Sequence, residues 1–264
     1  MNAAMPIRRR AARSALPGAT PRRAVLARVM PRGTLGRELL VVAARRRALA
    51  LKVGIPLVLA LPLIIGGAPT FWAGMLLTVL VAMMGAVGTA VNLARARQSG
   101  LLVRLALVPR PGWRVVGGVV GAGAIVDLLQ LLPVIVLVAV AGGASPDQWA
   151  GLLLAVMAGL LTGSLLGCVV ACLAGGVGEV LLDVCVLLAP LLFLGGLFTG
   201  VPRLGWGWTV ATIDPFGQLG SAFIGALGGT PAFSSAIVLL VSAAAIVVVL
   251  AAIGLLSRPL LERR

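Results

Sequence analysis

Apolar positions in this chain come in long unbroken runs, separated by short clusters of glycine, proline and arginine. The runs cover residues 48–68, 71–94, 115–141, 149–174, 180–200 and 233–256. Each is close to or above the roughly 20 residues a helix needs to cross a bilayer, so the pattern predicts six transmembrane helices. Pro56 and Pro62 interrupt the first run, which a spanning helix tolerates where neighbours re-satisfy the freed carbonyls. Two further stretches show helical periodicity without being apolar all round. From Thr34 to Arg47, Leu35, Leu39 and Val42 recur at i, i+4, i+7 while Arg37, Glu38, Arg45 and Arg46 take other faces, as in an amphipathic helix lying in the membrane interface. After the fifth run, Asp214 followed by Pro215 reads as a helix start, with the carboxylate capping free N–H groups and Pro in the first turn. Phe216, Leu219, Phe223 and Leu227 then recur at helical spacing, opposite a small-residue face of Gly217, Gly220, Ser221 and Gly225. That helix is about twelve residues and too short to span. A re-entrant or interfacial helix is expected, with Trp206 and Trp208 at headgroup level; a helix exposed to water would leave two Phe and two Leu solvated.

Composition turns this pattern into a solvent assignment. Of 264 residues, 60% are hydrophobic and only 11% charged, and the mean hydropathy is +1.13. A soluble domain would be nearer a quarter charged, so the chain is an all-α integral membrane protein. Six spans take about half its length, leaving short loops, one N-terminal segment and no room for a large soluble domain. There is no His, no Tyr and a single lysine, Lys52. His-based metal sites and hydrolases therefore have no candidate residues. The phosphate-binding loop G-x-x-x-x-G-K-[S/T] is also missing, because Lys52 stands between Leu51 and Val53. No catalytic, cofactor-binding or metal-binding residue is assigned, and if ATP drives this protein, another chain hydrolyses it. Cys168, Cys172 and Cys185 lie inside apolar segments and read as packing residues rather than a disulfide framework.

Charge adds orientation. Residues 1–33 hold eight arginines and four prolines and no acid, the composition of a disordered basic tail near anionic lipid, which a transit peptide would share. Twenty-one of the 22 basic residues fall in the N-terminal segment through Lys52, in the loop between the second and third spans (Arg95, Arg97, Arg104, Arg110, Arg114) or in the C-terminal tail. Only Arg203 lies on the other side, so both termini are expected to face the cytoplasm. The net charge of +15 is thus a topology signal, and nucleic-acid binding is not implied by a chain with 4% aromatic residues.

Three groups of residues carry functional candidates. In the cytoplasmic loop, Leu101, Leu105 and Val108 fall at i, i+4, i+7 with Leu102 beside them and Arg104 on another face, until Pro109 and Pro111 end the pattern. Such an apolar-faced helix needs a partner, either a protein or lipid headgroups. Within the third span, Asp127 and Gln130 are costly in lipid and should face the protein interior or a wet cavity, lining a path or bonding two helices. Glu179 and Asp183, i and i+4 at the cytoplasmic end of the fifth span, are expected to pair with nearby arginines, and two carboxylates alone do not make an active site. Gly159, Gly163 and Gly167, and Gly117 with Gly121, form small-xxx-small packing faces, within a subunit or across a dimer.

Taken in order, these pieces resemble the membrane subunit of ABC type-2 exporters, the drug-resistance and polysaccharide-export permeases. The resemblance covers residues 34–258 and rests on Gly36-Arg-Glu-Leu-Leu40, Ser99-Gly-Leu-Leu-Val-Arg-Leu-Ala-Leu-Val-Pro109, Ala189-Pro-Leu-Leu-Phe-Leu-Gly-Gly-Leu-Phe198 and Ile213-Asp-Pro-Phe-Gly217. It implies a domain layout of basic tail (1–33), permease domain (34–258) and cytoplasmic tail (259–264). It also implies that residues 99–109 are a coupling helix, with Leu101, Leu102, Arg104, Leu105 and Val108 docking on a cytoplasmic ATPase subunit that holds ATP and Mg. Residues 175–178 would make a smaller contact. Residues 202–228, with Trp206, Trp208, Asp214, Pro215, Phe216 and Phe223, would form a re-entrant outer hairpin. Asp127 and Gln130 are the path candidates. Two permease copies, or one and a paralogue, would pair and bind two ATPases in a bacterial plasma membrane. Family members commonly carry acids around the coupling helix, whereas residues 95–114 hold only arginines. Competing readings are a gradient-driven secondary transporter, which would need a relay of intramembrane acids or inverted repeats, and a non-transporting membrane scaffold.

Overall fold

The computed structural model describes residues 46–100, 111–174, 176–201 and 204–262. Among these the chain forms eight helices and no strand: α1 (Arg46–Ile65), α2 (Thr70–Gln98), α3 (Gly112–Ala141), α4 (Pro146–Leu173), α5 (Val177–Leu194), α6 (Trp206–Ile213), α7 (Pro215–Ala226) and α8 (Ser235–Glu262). The expected interfacial helix from Thr34, most of the coupling segment and the basic tail lie outside the described residues.

Four of these helices, α2, α3, α4 and the Ser235–Ser257 stretch of α8, are long and apolar enough to cross a membrane. The other two expected spans are shorter than their apolar runs. In α1 the helix continues through Pro56 and Pro62 and ends at Ile65, before the apolar run does. α5 has 18 residues and stops at Leu194, although the apolar run continues to residue 200. The cause is local: Gly195 and Gly196 return their N–H groups to the carbonyls of Leu191 and Phe193, and Gly196 sits at φ +74°, where a side chain would be strained.

α4 is the hub, packing on α2, α8, α7, α3 and α5. Its glycines set how close α2 comes. A side-chain carbon at Gly163 would lie 2.8 Å from the Ala82 carbonyl oxygen, and one at Gly167 would lie 2.5 Å from that of Ala86. The two backbones touch, which is how helices gain dispersion energy in a solvent that offers no hydrophobic drive. Thr89 adds a polar tie, its hydroxyl donating to Ser164 Oγ at 3.0 Å. Gly117 and Gly121 on α3 behave differently, for a carbon at either meets nothing within 4 Å among the described residues. Among the described residues, the α4 glycines form a packing seam and the α3 pair does not. Cys168 is fully buried and Cys185 exposed, and both are free thiols.

The helix ends follow local chemistry. Gln148 accepts the Ser145 N–H at 2.8 Å, so Ser145-Pro-Asp-Gln148 starts α4 as a capping sequence. At the far end of α4, the Arg97 guanidinium reaches the Ala171 and Ala174 carbonyls, each at 3.5 Å, placing a cation at a helix C-terminus. α1 packs on α3 and α2, and α5 on α2 and α4. Large apolar side chains remain exposed along both, among them Ile55, Val58, Leu59, Leu182, Val186 and Phe193. Trp72 and Trp206 are exposed near the α1–α2 turn and on α6, and Trp113 at the start of α3.

Candidate functional site

α7 is wedged into one end of the bundle, against α4, α2 and α8. Its apolar residues Phe216, Leu219 and Phe223 are fully buried, and so is the opposite face of Gly217, Gly220, Ser221 and Gly225. The small face admits close neighbours. A carbon at Gly220 would lie 2.9 Å from a Leu197 methyl, and one at Gly74 of α2 2.8 Å from Ile224. At the end of α7, Ala226 and Leu227 press on Gly142, between α3 and α4, while Gly229 packs on Thr70 at the start of α2. α7 thus contacts the α3–α4 turn, and the strand of chain after it the start of α2. A solvent-exposed helix is excluded.

The α6–α7 corner that carries this wedge is held by Asp214. Its carboxylate accepts the Gly217 N–H at 3.0 Å, as the Asp-Pro pair anticipated, and it rests against Gly195 at the end of α5. Burial pushes its pKa from the ordinary 3.8 up to about 6, opposed by the N–H groups of Gly217 and Phe216 that stabilise the anion. Gln218, wholly buried, donates to the Thr212 carbonyl at 2.7 Å and closes the corner from the other side. Of the two tryptophans, Trp206 is 75% exposed. Trp208 instead packs on Phe233, ring centroids 5.2 Å apart, so it pins the hairpin to the start of α8 rather than standing free.

Beside the wedge lies a cavity of about 590 Å³, bounded by the start of α2, the glycine-rich turn after α5, the small face of α7 and the chain at 230–232. A second space, about 450 Å³, separates Val58, Leu59, Pro62 and Leu63 of α1 from Leu76, Leu80 and Met83 of α2; no polar side chain lines it. Both spaces escaped the sequence reading. They depend on which helices become neighbours, and the only trace in the chain was the density of glycine at 195–220.

The polar residues of the third span face inward. Asp127 is 9% and Gln130 3% exposed, and a carbon at Gly88 of α2 would come within 3.6 Å of Asp127 Oδ2. Neither Gln130 amide atom has a hydrogen-bond partner among the described residues. These two residues are therefore interior to one chain and apart from the apolar α1–α2 space. Of the coupling residues, Leu101, Leu102, Arg104, Leu105 and Val108 lie outside the described residues. The structure does place their attachment point, the end of α2, where Gly100 at φ +68° turns the chain and Arg97 ties α2 to the end of α4. This end of the bundle is opposite the one that α7 fills.

Compared with known proteins, residues 34–227 match the model of a family described as ABC-2 type transporter. No curated protein and no solved structure matches the chain.

Proposed function

As a member of the ABC-2 type transporter family, the chain is the membrane subunit of an ABC-type transporter, and we propose that it is one half of an ATP-driven exporter for a lipophilic drug, natural product or lipid. The observation that carries the cargo class is the contrast between two environments. The α1–α2 face offers a space without a polar side chain, whereas Asp127 and Gln130 are turned into the bundle. A path built along such a face, between two paired copies, would give a charged or sugar-like cargo no partner for its polar groups. An apolar cargo would lose little on leaving the lipid.

In this reading the chain crosses the membrane six times, α1 and α5 being the short crossings, and both termini face the cytoplasm. Asp127 and Gln130 are interior to the subunit rather than on its cargo face, and the α6–α7 hairpin is the re-entrant outer closure. The engine is a cytoplasmic ATPase subunit on each copy, holding ATP and Mg and docking on Leu101, Leu102, Arg104, Leu105 and Val108. The tie from Arg97 to the end of α4 supports transmission, because a push on the segment after Gly100 would move α2 and α4 together as one body. Replacing Leu101, Leu105 and Val108 by Asp tests the assignment. Membrane insertion and the ATPase's own hydrolysis should persist while cargo export is lost; export at the unmodified rate would refute the docking role.

A further inference from the structure

The 590 Å³ cavity beside α7 has the size of a small-molecule site, for such sites run from about 300 to 1,000 Å³. Among the described residues no ionisable side chain lines it, and two aromatic side chains do, those of Phe71 and Trp208, with Met75 and Ile224 beside them. A charged ligand would therefore be desolvated without a counter-ion, while a neutral ring would exchange lipid or water for aromatic contact. Glycines keep the space open from the α5 and α7 sides, since Gly195, Gly196, Gly217 and Gly220 contribute backbone where other residues would contribute bulk.

One polar group in the wall is only half used. Ser221 is 3% exposed, and its hydroxyl oxygen accepts the Phe233 N–H at 3.0 Å. No hydrogen bond donated by that hydroxyl is formed among the described residues. A hydroxyl whose acceptor role is fixed by the backbone has its proton left to give, and the unfilled partner is an oxygen acceptor. We propose that this cavity binds a neutral, drug-sized aromatic compound bearing a carbonyl or equivalent acceptor, with its ring between Phe71 and Trp208 and its oxygen on Ser221. The site lies within one chain, so it requires neither a second copy nor an ATPase and goes beyond the transport reading.

Benzophenone is a suitable probe, being neutral, diaromatic, a ketone, and photoreactive toward methionine. The full-length chain in lipid nanodiscs is irradiated with increasing benzophenone and adducts are mapped to single residues. Labelling of Met75 in the cavity wall should saturate, whereas labelling of Val247, which is exposed on α8 and lines neither space, should rise linearly with probe in the lipid. Benzanilide, which has a carbonyl, should protect Met75 at roughly three- to tenfold lower concentration than biphenyl, which has none. Ala232→Trp, at the exposed rim, should abolish the saturable component. Ser221→Ala should raise the half-saturating concentration by about three- to tenfold. Non-saturable labelling of Met75 that parallels Val247, or equal protection by benzanilide and biphenyl in the wild-type chain, would overturn the proposal.

Discussion

Gly167 and Gly121 offer the same substitution in opposite surroundings. An alanine methyl at Gly167 would lie 2.5 Å from the Ala86 carbonyl oxygen, 2.9 Å from the Ala90 nitrogen and 3.0 Å from Thr89 Cβ. Two of the three are backbone atoms of α2 and cannot rotate away. Ordinary contact needs about 3.5–4 Å, so α4 must withdraw from α2 by roughly 1 Å, a gap that forfeits a quarter to a half of each dispersion well along the seam. Gly163 against Ala82 and the Thr89–Ser164 hydrogen bond lie on the same seam and loosen with it. Overpacking of this kind costs about 1–3 kcal/mol. At Gly121 the methyl meets nothing within 4 Å among the described residues. There alanine gains at most about 0.5–1 kcal/mol of helix preference, and less where the denatured chain stays helical in detergent. Reversible unfolding by SDS in mixed micelles should therefore place Gly167→Ala below wild type and Gly121→Ala at or slightly above it. Equal stabilities for the two variants, or the reverse order, would refute the close α2–α4 contact.

Two further outcomes follow from single residues. The Asp214 pKa is raised from 3.8 to about 6, so the folded corner holds its proton more tightly than the unfolded chain. Its stabilising contribution is thus complete below pH 3.8 and is lost as pH rises through about 6. Hydrogen exchange of α7 amides, corrected for intrinsic pH dependence, should show more frequent opening above that window in the wild type, with the dependence flattened in Asp214→Asn. Gln130 is buried with neither amide atom partnered among the described residues, so Gln130→Leu should stabilise the fold by about 1–3 kcal/mol in the same SDS titration and leave export unchanged. A loss of export with a stable fold would return Gln130 to the transport path.

What the sequence announced and what it withheld divide along local and non-local lines. Asp214-Pro215 announced the start of α7 and the spacing of Phe216, Leu219 and Phe223 announced its buried face, because caps and periodicity are properties of adjacent residues. The same residues could not say that the small face is buried too. That depends on Gly74, Leu197 and the turn at Gly142, which come from other helices. Gly195–Gly196 was legible in principle as a helix stop, yet the surrounding run is so apolar that hydropathy carried the expected span on to residue 200. The glycine faces show the limit most clearly. Gly163-xxx-Gly167 and Gly117-xxx-Gly121 are identical as patterns, and only the partner helix distinguishes a seam from an open surface. Asp127 and Gln130 were recognisable as interior, while their separation from the apolar α1–α2 space was not, since it is set by how α3 is rotated against α2.

The most direct measurement is transport by the purified chain in proteoliposomes, loaded with a neutral lipophilic dye and assayed with and without the ATPase subunit. Dye should move only when the ATPase and ATP are both present, and imposing a proton or sodium gradient on the chain alone should move none. Gradient-driven movement without the ATPase would contradict a subunit that draws its power from another chain.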